Sequence, residues 1–256
     1  MAKVIAVGNF KGGVGKTTVT VNLALALREE GARVLLVDLD SQGQASLYLT
    51  DDESLAGKAG GSEQLLSAPE HLAVIETPSG IDVLHGHRGL GRIDEAGHSI
   101  EEAKNLRPYL AGLEYDYVVV DTPPDLAFRT LASLMWADQF VVVTTPDPLA
   151  QNSTVQFIKV VSGWMSKRWV KPGFKFSILM NMVDRASPEA VAEAEKARQM
   201  APQFVLPTEF TLRRALVKRA FEQKIPVWKV KKIPKDVASA WRSLPQLLGL
   251  AQGEKV

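Results

Sequence analysis

Five short runs, nearly continuous in Val, Ile and Leu, constrain the fold of this chain most. They are "KVIAVGN" (3–9), "RVLLVDLD" (33–40), "DYVVVDTP" (116–123), "QFVVVTTP" (139–146) and "KFSILMNMV" (175–183). A strand with one wet face alternates apolar and polar residues. Runs this continuous belong to strands covered on both faces, as in a parallel sheet. "GIDVLHG" (80–86) reads as a weaker sixth strand and "QFVLPT" (203–208) as a seventh. Helical patterns fall near 16–30, 98–111, 125–136, 148–168, 187–200, 211–223 and 235–249. Gly31 is placed to close the first, and Ser187-Pro188-Glu189 to open the fifth. The alternation predicts an α/β fold: a doubly wound, mostly parallel sheet with helices on both faces and right-handed crossovers. Ligands of such sheets sit beyond the carboxyl ends of the strands. The polar, Gly-rich segment 50–62 reads as a loop within a single domain spanning 1–256, because the strand–helix pattern resumes after it. With a first strand at residue 3, no separate N-terminal domain is expected.

"GNFKGGVGKTT" (8–18) lies between the first strand and the first helix. Glycines at 12, 13 and 15 let backbone N–H groups turn inward around phosphate oxygens, and the helix directs its positive end at the same anion. Lys16 can reach the β and γ phosphates, and the Thr17 hydroxyl can serve Mg²⁺. The loop departs from G-x-x-x-x-G-K-[ST]: Phe10 stands at the first glycine position, and an extra Lys11 follows it. Three acidic residues end neighbouring strands. Asp121 is placed to bring a carboxylate to the magnesium shell. Asp38 and Asp40 point to one side of their strand end. One can organise magnesium and its waters while the other orients the water that attacks phosphorus; otherwise both cap an ordinary turn. Asp40, farther out along the chain, is assigned the water, and Asp38 the metal.

"KGGVGKTT", "VLLVDLDSQG" and "YVVVDTPPDL" resemble the deviant Walker A, A′ and Walker B motifs of the ParA/MinD superfamily of P-loop ATPases, most closely its short ParA-type members without an N-terminal DNA-binding domain. The resemblance implies ATP and Mg²⁺ as ligands, with two ATP molecules sandwiched in a homodimer. It implies that Lys11 reaches the partner's nucleotide, that Gly12, Gly13, Val14, Gly15, Lys16, Thr17 and Thr18 hold the phosphates, and that Asp40 activates water. It assigns Asn181 in "LMNMVD" to adenine, although a lone strand-end Asn is as often a turn residue, and it extends the nucleotide site to Pro207. The departure is Ser41, where many members have proline; little effect on the chemistry is expected.

The net charge of +1 hides an asymmetry: residues 1–128 carry 10 Lys/Arg against 19 Asp/Glu, and residues 129–256 carry 20 against 10. Residues 148–183 lack acidic residues, and 213–235 hold nine Lys/Arg against one Glu. Such a segment is a solvated helix face or a phosphate-binding surface. No base-reading motif accompanies it, so the binding expected is sequence-independent, through Arg213, Arg214, Lys218, Arg219, Lys229, Lys231 and Lys232. The resemblance adds a ParB-type or other adaptor that stimulates hydrolysis, and a cytoplasmic, nucleoid-associated location. The rivals are a ParA-like positioner of protein clusters, a MinD-like membrane-associated ATPase and a metabolic P-loop ligase. Membrane association is not expected: Val237, Trp241, Leu244 and Leu248 form an apolar stripe with a single basic residue, Arg242, between 237 and 253, which reads as core packing. "GHRGLGR" (86–92), flanked by His85 and including His87, reads as a flexible loop near the site, and "TPDPLAQNS" (145–153) as a loop near the nucleotide and dimer interface. The absence of cysteine excludes a disulfide framework and thiolate metal sites.

Overall fold

Alternating side chains along each buried run go to opposite faces of a seven-stranded sheet, and each face has its own core. The computed structural model describes residues 1–51, 55 and 60–250. In chain order the elements are β1 (Lys3–Gly8), α1 (Lys16–Glu29), β2 (Val34–Asp38), α2 (Gln44–Leu49), α3 (Gln64–Ser67), β3 (Ile75–Glu76), β4 (Asp82–Leu84), α4 (Gly91–Glu95), α5 (Ile100–Gly112), β5 (Tyr117–Asp121), α6 (Phe128–Trp136), β6 (Gln139–Thr144), α7 (Pro148–Ser166), β7 (Lys175–Met180), α8 (Pro188–Met200), α9 (Arg214–Gln223), α10 (Lys235–Arg242) and α11 (Leu244–Leu247). The sheet order is β3-β4-β2-β5-β1-β6-β7, parallel except for β3 against β4. Ile5, Val7, Leu36, Val119 and Val141 pack with Leu23 and Leu27 of α1 and with Leu216, Trp241 and Leu244 of the C-terminal helices. Ala6, Leu35, Val120, Phe140 and Val142 pack on the other face with Leu106, Trp136 and Phe157 of α5, α6 and α7. This is the doubly wound sheet that the continuous apolar runs require.

The apolar stripe of the C-terminal helices is core: Val237, Trp241, Leu244 and Leu248 are buried, each such side chain stabilising the fold by roughly 1.5–3 kcal/mol. Among the described residues no helix is long and apolar enough to cross a membrane.

Three sequence expectations change. Residues 203–208 do not form a strand; Val205 makes one isolated bridge to Ile178. The helix expected over 235–249 divides into α10 and α11 at Ser243, with Pro245 in the first turn of α11, where its missing N–H costs nothing. Short elements α2, α3, β3 and α4 appear where no periodicity marked them. Most of the loop expected over 50–62 lies outside the described residues. Ser187 caps α8 as expected, its hydroxyl accepting from the Ala190 N–H at 3.2 Å.

Candidate functional site

The chain passes from β1 to α1 through residues 9–15, beyond the carboxyl end of the sheet. Asn9 is fully buried and fastens the start of this loop. Its Nδ2 donates to the Val143 carbonyl (2.8 Å) and Thr154 Oγ1 (3.2 Å), and its Oδ1 accepts from the Lys11 N–H (3.3 Å). Phe10, at the position where the common loop has glycine, packs on Phe157 with ring centroids 4.7 Å apart. Gly15 has φ +94°, and a Cβ there would lie 2.3 Å from Asn181 Nδ2; both facts require glycine. Asn181 donates from that nitrogen to the Val14 carbonyl at 2.8 Å. Its amide therefore braces the phosphate loop from the end of β7.

The two lysines of the loop have different surroundings. Lys16 is buried, and its Nζ donates to the Lys11 carbonyl at 3.1 Å. Burial holds its ammonium below the usual lysine range, against the opposing pull of Asp121, Asp40 and Asp125. Lys11 places Nζ 2.5 Å from Asp147 Oδ2 of its own chain. This lysine, expected to reach a second subunit, is turned back within the single chain. The Lys11 ammonium, first among several donors, holds the Asp147 carboxyl below its ordinary range.

Asp38 and Asp121 are register partners at the ends of β2 and β5, and both are fully buried. Asp121 accepts from Thr17 Oγ1 and Thr20 Oγ1, each at 2.8 Å. Burial, and secondarily the neighbouring Asp38, pushes its carboxyl up to about 7. Burial likewise pushes Asp38 up to about 6, against its hydrogen bonds from Ser46 and Asp40. Asp38 Oδ2 accepts from the Ser46 N–H (2.9 Å) and hydroxyl (2.7 Å), and Oδ1 accepts from the Asp40 N–H (3.1 Å). Gly86 closes over this pair: its N–H donates to Ser46 Oγ at 3.0 Å, and a Cβ there would lie 2.4 Å from the Asp40 carbonyl. Thr17 and Asp121 form a hard-oxygen pair of the kind magnesium takes, so these residues fit the ion. Asp38 has both oxygens engaged with α2 and the Asp40 backbone, and supports the site from behind.

Thr17, Thr18, Asn181, Met182, Arg213 and Arg214 line a cleft of about 420 Å³ next to the loop, together with Lys218. The residues expected to bind nucleic acid are thus divided. Arg213, Arg214 and Lys218 face the cleft, Lys218 also lying 3.7 Å from Glu222. Arg219, Lys231 and Lys232 are exposed away from it, and Lys229 lies 3.9 Å from Glu29 at the far end of α1. Pro207 is exposed and does not line the cleft. The segment expected as a flexible loop is packed: His85 is buried, His87 Nε2 lies 2.6 Å from Glu63 Oε2, and α4 follows. Sequence reading missed Asn9, Ser46, Asp147 and Arg129, whose partners are distant in the chain. An Asp before Pro148, at a helix start, was a legible cap signal for Asp147.

The protein-family model described as "AAA domain" matches residues 2–171. The chromosome partitioning protein ParA of Myxococcus xanthus is 30% identical over 207 residues, 77% of this chain and 71% of the relative. Among solved structures, the ATP complex of a Cyanothece McdA variant superposes with a TM-score of 0.85 at 19% identity, covering 99% of each chain. Cobyrinic acid a,c-diamide synthase of Mycobacterium smegmatis, with ADP and magnesium bound, gives 0.75 at 26% identity, covering 96% of this chain and 93% of its own. A braced phosphate loop with two lysines, paired strand-end aspartates and this sheet order agree with those matches: the chain belongs to the ParA/MinD superfamily of deviant Walker A P-loop ATPases.

Proposed function

We propose that this protein is a ParA-type ATPase that binds Mg–ATP, dimerises around it, and holds non-specific DNA until hydrolysis releases it. The observation that carries the reading is the convergence of Lys16, Thr17, Asp40 and Asp121 beyond the ends of β1, β2 and β5, with Thr17 and Asp121 hydrogen-bonded at 2.8 Å. Loop amides and Lys16 hold the phosphates, and the α1 N-terminus faces the same charge. Thr17 and Asp121 would hold magnesium, which supplies charge neutralisation between the β and γ phosphates. Asp40 orients the attacking water. Lys11, released from Asp147, would stabilise charge on a second subunit's nucleotide, as an arginine finger does, a contribution of roughly 10³–10⁵ in rate. Asn181 and the cleft beside it would take the base. The exposed basic residues Arg219, Lys231 and Lys232 give salt-sensitive, sequence-indifferent DNA contacts. An adaptor protein on the cargo stimulates turnover, in the cytoplasm at the nucleoid.

The test is DNA retention measured with ADP, ATP and a non-hydrolysable analogue. Retention only with ATP or the analogue, on any sequence, supports the reading; equal retention in all states refutes it. A cluster positioner is the second reading, favoured by the coverage of Cyanothece McdA; it shares the chemistry and differs in cargo. The likeness to the M. smegmatis synthase keeps a ligase in view, and ATP-independent indifference to DNA is the outcome that would favour it.

A further inference from the structure

Arg129 is a buried arginine that no motif marks. It projects from α6 between two acidic residues and the strand-end loop that carries Asp40. Its Nε and Nη2 both lie 2.8 Å from Asp94 Oδ2, and its backbone N–H donates to Asp94 Oδ1 at 3.2 Å. Asp125 Oδ2 stands 3.9 Å from Nη2. These contacts compensate the buried charge and fix the plane of the guanidinium. The remaining nitrogen, Nη1, donates to the Leu39 carbonyl at 2.5 Å and to Ser41 Oγ at 3.2 Å. Leu39 and Ser41 are the two chain neighbours of Asp40. One rigid cation therefore grips the backbone before Asp40 and the side chain after it.

We propose that Arg129 is a positioning residue for Asp40, acting through the Leu39 carbonyl and the Ser41 hydroxyl; the inference rests on reading Asp40 as the residue that orients the attacking water. Asp40 has other local supports. Its N–H donates to Asp38 Oδ1 at 3.1 Å and its Oδ1 accepts from the Gln42 N–H at 2.9 Å. Those contacts come from the same strand-end turn and fix its shape. Arg129 comes from α6, and so fixes where that turn stands relative to β5 and the phosphate loop. Ser41 is the position where resemblance led to an expectation of proline and of little chemical effect. A proline there offers no hydroxyl to Nη1, so the serine and the arginine work as a pair. Displacing a reacting group by about 1 Å can cost up to 100-fold in rate, whereas phosphate affinity, held by the loop and Lys16, does not depend on this grip.

The experiment is single-turnover hydrolysis of Mg–ATP by the whole protein, with nucleotide affinity measured by calorimetry alongside. The half-buried Ser41 tolerates Ser41→Ala, which removes only the hydroxyl, and Ser41→Thr, which restores one. Ser41→Ala should lower the hydrolysis rate roughly tenfold with affinity within twofold of wild type, and Ser41→Thr should recover most of that loss. Arg129→Lys keeps a cation against Asp94 but cannot make both Nη1 contacts, and should behave as Ser41→Ala does. In an Asp40→Ala background, Ser41→Ala should change nothing further, because residues acting as a unit are not additive. A Ser41→Ala rate within twofold of wild type overturns the proposal, as does a rate loss that persists in the Asp40→Ala background. A wild type without turnover, or an Asp40→Ala variant that turns over as fast as wild type, instead overturns the ATPase reading on which the proposal rests.

Discussion

Asp121 ends β5 with both carboxylate oxygens accepting threonine hydroxyls, in a position without solvent. Water cannot compensate its charge, and Asp38 stands beside it in register. The folded carboxyl therefore titrates near 7 where an unfolded one titrates near 3.8. The folded state binds the proton more tightly, so nucleotide-free stability falls as pH rises through this interval. Between pH 8 and pH 6 the wild type should gain on the order of 1 kcal/mol relative to Asp121→Asn, read by denaturant unfolding without magnesium. Parallel pH dependence in the two proteins would remove Asp121 as the cause. The two lysines separate in the same way. Lys16→Ala should weaken ATP binding at least tenfold by calorimetry. Lys11→Ala should leave binding within a few-fold and abolish adaptor-stimulated turnover; a Lys11→Ala protein that binds no ATP contradicts the role in a second subunit.

At the scale of elements, α7 begins where two functions meet. Asp147 Oδ1 accepts from the Leu149 N–H at 2.9 Å and, more weakly, from the Ala150 N–H at 3.4 Å, while Oδ2 holds Lys11. Asp147→Ala should lose about 1 kcal/mol of stability through the cap. Asp147→Ser retains a capping oxygen and discards the charge. Its denaturation midpoint should lie close to wild type, because a partly exposed ion pair contributes at most about 1 kcal/mol. A serine variant as unstable as the alanine variant would mean that the ion pair, and not the cap, holds the helix start. The long elements were legible because burial on both faces writes a nearly continuous apolar run into the main strands, β7 only in its second half. Short ones were not. β3 has two residues and α3 four, too few for any period to register. Residues 203–208 are apolar enough for a strand, yet only Val205 finds a strand-like partner, a condition set by where Ile178 lies and not by composition.

The whole molecule decides what the basic residues can do. In the chain 213–235 is one charged segment; in space Arg213, Arg214 and Lys218 line the cleft beside Thr17, while Lys229 meets Glu29 at the opposite end of α1. Charge reversal at Arg214 and Lys218 should therefore disturb nucleotide affinity together with any DNA binding. Reversal at the exposed Lys231 and Lys232 should weaken DNA retention and flatten its salt dependence while leaving ATP affinity intact. Equal effects of both pairs on ATP affinity, measured by titration, would contradict this division. The phosphate loop was legible because its chemistry is local: glycines, Lys16 and Thr17 are adjacent in the chain. Arg129 was not, since its link to Ser41 spans 88 residues and arises only when α6 packs beside the end of β2.

The borders of the sheet carry a consequence for how copies of this chain meet. On one side β3 offers only two residues, set antiparallel. On the other, the outward N–H and C=O of Ile178 are taken by Phe204 and Leu206, each at 2.8 Å, and the Met180 carbonyl accepts from the Phe210 N–H at 2.9 Å. A second copy therefore finds no long row of free amides against which to lay a strand, among the described residues. Little of either border is left for edge-to-edge pairing. The sheet ends within the single chain.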